Sequence, residues 1–298
     1  MRKNIIVILF LWSLHSYAQE EKSYVFNTFR SIQLINMQTT EVIPQKGFDF
    51  SIRHRFGMIG ADSSMYQQFL GLDLPANIRF GFAFPILKNL YVGAGRTKTG
   101  KTIDLEAKYL IFRQTEDNKM PLSIAAYFNM GIMTDKFPKV PNYAYFSDSI
   151  TPFEYKFSHR LAYNIQVIIA RKFSERISFQ IAPVIIYKNY VPANAENLTF
   201  SIPVGGSIKT GLKSSVIFEY AYRFNNRPGN NDYPLSIAWE SGTVGHTFQI
   251  VISSTNELLE QDAYTKKSFN YLKGNFALGF NMRRVFWYKK KKTELPNE

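Results

Sequence analysis

The run Gly95-Arg96-Thr97-Lys98-Thr99-Gly100-Lys101-Thr102 satisfies the P-loop pattern letter for letter. A working P-loop takes a strand before it, backbone amides around the phosphate, and a helix whose N-terminus faces the site. Leu90 to Ala94 can supply the strand. The helix is the difficulty, because Ile103, Leu105, Ala107, Tyr109 and Ile111 alternate with Thr102, Asp104, Glu106 and Lys108, which is the period of a strand. The run therefore reads as a glycine-bearing hairpin turn rather than a nucleotide site. Hydrolytic chemistry needs a nucleophile and a histidine on one surface, with a third group to orient the imidazole. His54 shares parity with Phe50 and Ile52, His159 with Leu161, and His246 with Phe248, which sets all three at strand ends facing lipid. The fourth, His15, lies in the N-terminal segment read below as a cleaved signal. No histidine cluster has metal-ligand spacing, and a chain without cysteine has neither disulfides nor thiolate metal sites. No catalytic, metal or cofactor-binding residue is expected.

The polar positions are more informative. Asp49, Ser51, Arg53, Arg55, Arg79, Asp104, Glu106, Lys108, Asn164, Gln166, Glu219, Arg223, Glu240 and Arg283 all fall on the parity opposite to the apolar residues of their segments. Such a set either lines an aqueous path and tunes its selectivity or fills an interior with ion pairs. The candidates for lumen lining are Arg53, Arg55, Arg79, Asp104, Glu106, Lys108, Asn164, Gln166, Glu219 and Arg223. A twelve-stranded barrel stands between filled eight-stranded barrels and open sixteen-stranded porins, so both readings stay open.

These residues are positioned by strands. Leu161, Tyr163, Ile165, Val167 and Ile169 alternate with small or polar residues, and after a turn at 172–176 the alternation resumes at Ile177, Phe179, Ile181, Pro183, Ile185 and Tyr187. Twelve such segments are expected, near 47–56, 77–84, 89–97, 101–112, 120–133, 156–171, 176–188, 199–209, 214–224, 233–240, 244–254 and 274–286. Long connections at 57–76, 134–155, 189–198, 225–232 and 255–273 alternate with mostly short ones at 85–88, 113–119, 172–175, 210–213 and 241–243. That is the pattern of external loops and periplasmic turns in an up-and-down barrel. The tight external hairpin at 97–101 is the exception. Helical turns are expected in 63–72 and 255–264. The aromatic residues Tyr143, Tyr145, Phe146 and Phe153, and Phe286, Trp287 and Tyr288, stand where interfacial belts would lie.

Residues 1–18 carry Arg2 and Lys3, the apolar run Ile5 to Trp12, and Ser16-Tyr17-Ala18, the marks of a cleaved signal peptide. Export without a cysteine after the cleavage site leaves no lipid anchor there. No later stretch is long and apolar enough for a spanning helix, so strands must do the spanning, and only a closed sheet satisfies every backbone group in lipid. The formal charge is +13, or +11 once Arg2 and Lys3 are removed, since residues 1–18 hold no acid. An exported basic chain meets lipid headgroups rather than nucleic acid. Residues 19–46 do not alternate and read as a periplasmic lead-in, a partial plug or a missed strand. The barrel spans 47–288 and a basic tail 289–298.

The stretch Phe48-Asp49-Phe50-Ser51-Ile52-Arg53-His54-Arg55-Phe56-Gly57, with Gly93-Ala94-Gly95-Arg96 and the strand from Lys101 to Tyr109, resembles a family of β-barrel proteins of unknown function found in Bacteroidota. The His54-Arg55-Phe56-Gly57 segment is the most specific part. Gln19 after Ala18 is similar to processing sites common in that group. The resemblance implies an outer-membrane barrel and supplies no catalytic or ligand residues. The lysine-rich tail departs from the aromatic terminus usual for such barrels.

The expected protein is all-β, a transmembrane antiparallel up-and-down β-barrel of about twelve strands in the outer membrane of a Gram-negative bacterium. Its partners are outer-membrane lipid and, during biogenesis, the barrel-assembly machinery, with the solute or loop-binding partner open. Passive or facilitated passage of a small solute is the leading function. A non-conducting barrel displaying external loops is the alternative, and a membrane-embedded hydrolase comes last because no nucleophile and base share a parity.

Overall fold

The alternating segments form thirteen antiparallel strands in a computed structural model that describes residues 23–288, apart from 61, 63, 142, 147–148, 193–194, 226–232 and 244. They are β1 Gly47–Ile59, β2 Asn77–Leu87, β3 Leu90–Thr97, β4 Thr102–Phe112, β5 Ser123–Met133, β6 Leu161–Lys172, β7 Ile177–Ile181, β8 Val184–Lys188, β9 Leu198–Lys209, β10 Ser214–Arg223, β11 Leu235–Thr243, β12 His246–Ser253 and β13 Phe276–Trp287. The signal segment 1–18 and the basic tail 289–298 lie outside the described residues.

Each strand pairs with its sequence neighbours, except that β7 and β8 both lie between β6 and β9, and β13 closes the sheet on β1 with a register running from Gly47 opposite Trp287 to Ile59 opposite Phe276. Closure removes free edges and gives the strand backbones partners without water, the condition for a sheet in lipid. Strands β7 and β8 are one stave of the barrel interrupted at Ala182 and Pro183. Proline has no N–H to give to the ladder, so its carbonyl takes the Val167 amide at 3.1 Å while the Ala182 amide reaches the carbonyl of Pro203 at 2.9 Å. Thirteen segments thus make a closed barrel of twelve strands.

Side-chain alternation sets the two faces. On β4, Ile103, Leu105, Tyr109 and Ile111 are exposed, whereas Asp104 and Lys108 are fully buried. Outward rings pair across strands, with Phe48 stacked on Phe286 at 4.8 Å and His54 on Phe280 at 5.1 Å. The P-loop-like run is strand, turn and strand: Lys98 to Lys101 close a tight turn in which Gly100 has φ +62° and the Lys101 amide donates to the Lys98 carbonyl at 2.9 Å.

The barrel is filled from both ends. From the end that carries the termini, residues 28–43 enter the interior and reverse at a tight turn, where the Leu34 amide bonds the Met37 carbonyl at 2.8 Å and the Thr39 amide the Ile32 carbonyl at 3.0 Å. Phe29, Leu34, Ile35 and Met37 join one buried cluster with the wall residues Tyr127, Ile168, Ile186, Ile217 and Val251. At about 1.5–3 kcal/mol for each buried apolar side chain, these four contribute about 6–12 kcal/mol to holding the segment inside. The wall is shaped to receive it, since a Cβ at Gly205 would stand 2.9 Å from Met37 Sδ and 3.0 Å from Leu34 Cδ1.

From the opposite end comes the connection between β12 and β13. Its sequence places it among external loops, but Leu258, Leu259, Gln261, Ala263 and Tyr264 are buried. Among the described residues, two short α-helices occur in the loops, α1 Ser64–Gln67 and α2 Glu260–Ala263. Helix α2 lies within the barrel mouth, and its Ala263 with the following Tyr264 completes the same apolar cluster as the N-terminal segment. Burial of that apolar surface is what turns the loop inward.

Candidate functional site: the barrel interior and its two vestibules

The inward polar residues divide by what they hold. Glu219 on β10 binds the N-terminal turn. Its Oε1 accepts the amides of Ile35 at 2.6 Å, Asn36 at 2.9 Å and Met37 at 2.8 Å, and its Oε2 takes Asn36 again at 3.0 Å. Successive amides converging on one oxygen form an anion-binding nest, here filled by a side chain of the wall. Lys108 on β4 caps the same segment, donating to the Ile32 carbonyl at 2.6 Å, with its ammonium 5.1 Å from the centre of the Tyr91 ring. Arg55 on β1 donates to Asn281 Oδ1 at 2.8 Å and to Asn36 Oδ1 at 3.3 Å, which links two strands and the turn.

A second group belongs to the wall itself. Arg79 on β2 meets Asp104 on β4 through two bonds, Nε to Oδ1 at 3.0 Å and Nη2 to Oδ2 at 2.5 Å, and stands 3.5 Å from Glu106. The guanidinium spans β3 to reach across, and only a glycine there leaves room: a Cβ at Gly95 would collide with it. Bidentate geometry makes this the strongest kind of ion pair, and both partners are buried. The network continues from Glu106 through the Tyr127 hydroxyl at 2.9 Å to the Gln38 amide group at 3.2 Å, so the wall pair and the segment are connected.

A third group holds the loop. Asn164 and Gln166 on β6 donate to Glu260 Oε2 at 3.1 and 2.7 Å, and the Gln38 amide donates to Oε1 at 3.1 Å. Glu260 thus joins loop, wall and N-terminal segment. Burial pushes its carboxyl up to about 7, against the opposing pull of the Gln38 and Gln166 donors. Arg223 on β10 donates to the carbonyls of Thr265 at 2.8 Å and Lys266 at 3.3 Å. Of the ten sequence candidates, nine bond to a filling segment, to the loop or to one another. Arg53 is the exception: it is 4% exposed, and its Nε and Nη1 have no partner.

Two vestibules remain. One, about 630 Å³ at the end with the termini, is lined by Arg30, Glu41, Arg176, Lys209, His246 and Arg283 among others. The other, about 580 Å³ at the opposite end, is lined by His159, Arg160, Lys188, Tyr190, Asp262 and Lys266 among others. The filled layer of N-terminal turn and loop lies between them. His159 precedes its strand rather than lying in it: it sits in a 3₁₀ turn, accepts the Lys156 amide at 3.1 Å and stacks on Phe153 at 5.6 Å. Among the described residues, no group of three or more His, Asp or Glu is placed to hold a metal, and no helix is long and apolar enough to cross a membrane.

Gln38 and Glu260 are the polar residues at the centre of this arrangement that alternation does not mark, because both lie outside the strands. A signal for them existed on the wall. Ile168, Ile186, Ile217 and Val251 stand on the inward parity and are apolar, which a water-filled lumen would not favour.

No curated protein matches the sequence. Among solved structures, the chain is similar to the KdgM porin (TM-score 0.46, 7% identity, 80% of this chain and 99% of that one) and to the NanC porin (0.48, 7%, 80% and 100%). It is also similar to an active-site mutant of outer membrane phospholipase A from Escherichia coli (0.44, 9%, 82% and 91%). None of these three likenesses reaches a TM-score of 0.5. A family model, by contrast, matches residues 29–286, which takes in both the barrel and the segment inside it. The chain belongs to the membrane-bound β-barrel domain family DUF5777.

Proposed function

We propose that the protein is an outer-membrane passage for a small solute, held shut at rest by its own N-terminal segment. The supporting observation is the relation of the segment to the two vestibules: residues 28–43, together with the loop of α2, lie between solvent-accessible spaces of about 630 and 580 Å³. Displacing that one stretch, with the loop of α2, would join them. Arg53, Arg55, Arg79, Lys108 and Arg223 would then give the path a basic bias, opposed by Asp104, Glu106 and Glu219, with Asn164 and Gln166 neutral. Replacing Arg53 and Arg55 with Ser should shift the ion selectivity of the opened state.

The apolar burial of about 6–12 kcal/mol makes spontaneous release rare, so the full chain should conduct only in brief steps under applied potential. The same burial favours a second reading, a non-conducting barrel that presents its outer surface to a partner. Planar-bilayer recording separates the two. The passage reading expects rare, discrete, ion-selective steps from the full chain and sustained current from a chain lacking residues 19–45. Verified insertion with silence at every potential supports the non-conducting barrel.

A further inference from the structure

We infer that the barrel interior binds a single monatomic anion, chloride in ordinary saline, between Arg53 and Arg283. In the register of β1 against β13, Arg53 lies opposite Asn281 and Ser51 opposite Arg283, so the two arginines are diagonal neighbours on the inward face. Arg53 Nε and Nη1 and Arg283 Nη1 are all buried without a partner. Both residues line one small void of about 10 Å³, together with Gln33 and Leu34 of the N-terminal turn and Ser51 and Gln249 of the wall. That volume is about what one water-sized particle occupies.

The charge of the surroundings decides between a water and an anion. The interior carboxylates are committed elsewhere: Asp104 and Glu106 face Arg79, Asp49 stands 3.5 Å from Arg283 Nε, Glu219 holds the three turn amides, Glu240 pairs with Arg30 at 3.4 Å, and Glu260 takes the donors of Gln38, Asn164 and Gln166. Arg53 has no acid of its own. A water would offer lone pairs but leave a buried guanidinium charge uncompensated, whereas chloride supplies both the acceptor and the charge. The void is too small for phosphate, sulfate or a carboxylate-bearing solute. Because Gln33 and Leu34 form part of its lining, the ion would join the N-terminal segment to the wall. The site does not depend on whether the barrel conducts.

The test uses the full chain in detergent. Crystals grown in sodium bromide should show an anomalous peak within bonding reach of both Arg53 and Arg283. In solution at constant ionic strength, replacing gluconate by chloride or bromide should raise the unfolding temperature to a plateau, and Arg53→Gln should abolish that rise. An ordered water in the void without an anomalous signal would overturn the proposal. So would bromide found only at surface positions, or the same halide dependence in Arg53→Gln as in the unaltered chain. If Arg53→Gln does not fold, the bromide data on the unaltered chain decide alone.

Discussion

Glu219 of the barrel wall holds the backbone amide of Asn36 with both carboxylate oxygens, at 2.9 and 3.0 Å, although 182 residues of sequence lie between the two. With the flanking amides of Ile35 and Met37, this is the firmest polar tie between the N-terminal segment and the barrel. Its character is that of an anion nest, so the charge and the shape of Glu219 both count.

Replacing Glu219 by Ala leaves three amides in a dry interior. Loss of charge-assisted bonds of this kind costs about 1.5–3 kcal/mol or more, so hydrogen exchange at Ile35, Asn36 and Met37 should accelerate by about tenfold to a hundredfold while the strands stay protected. Unchanged exchange at these three amides would contradict the assignment.

Asp104→Ala removes the bidentate partner of Arg79 and leaves the guanidinium only Glu106, 3.5 Å away. The expected loss is about 1.5–3 kcal/mol, the usual cost of losing hydrogen bonds to a charged group, whereas the double change Arg79→Met with Asp104→Leu should cost less. Urea unfolding in detergent measures both. Equal destabilisation by the single and double changes would show that the pair is not the source of the effect.

The carboxyl of Glu260, raised to about 7 when folded from an ordinary value of 4.5, gives a definite sign of pH dependence. The folded state binds the proton more tightly, so the contribution is full below about pH 4.5 and is lost as pH rises through about 7. A shift of this size corresponds to about 3 kcal/mol. The unaltered chain should therefore lose stability between pH 5 and 7.5 relative to Glu260→Gln, in which the titrating group is gone. Parallel pH profiles for the two chains would refute the role.

Gly205→Leu sets a side chain where Leu34 and Met37 now sit, with its Cβ also 2.9 Å from the Phe218 carbonyl of β10, so the wall gives slightly as the segment is displaced. The expected outcome is a formed barrel with its N-terminal segment expelled, detected as protease cleavage within residues 28–43 and normal protection of the strands. A segment that stays protected would mean that the fit at Gly205 is not what admits it.

The strands were legible because lipid forces a strict two-residue period: Ile103 and Leu105 face out, Asp104 and Lys108 in, with no room for slippage. The closure of β13 on β1 and the even count follow from the same constraint. The filling of the barrel was not legible in that way, because residues 28–43 bury their side chains in all directions and so show no period. Ile35 and Met37 look like irregular loop residues until Ile168 and Ile217 are seen to need partners. The inward apolar positions carried the information, yet they read as lapses in an otherwise polar face. The turning-in of the 255–273 loop was hidden for a related reason: Glu260 is charged and suggests solvent, and only the donors of Gln38, Asn164 and Gln166 make its burial possible.

The chain has no cysteine, so a disulfide introduced between Met37→Cys and Gly205→Cys, positions whose side chains meet at the wall, would be its only one, its formation verified by mass under non-reducing conditions. The decisive measurement is single-channel recording of this variant, inserted in a planar bilayer under a ramped potential, before and after reduction. A plug that must move for solute to pass predicts silence in the oxidised state and discrete, ion-selective steps that appear on reduction and vanish on reoxidation. Identical records in the two states, whether silent or conducting, would contradict it.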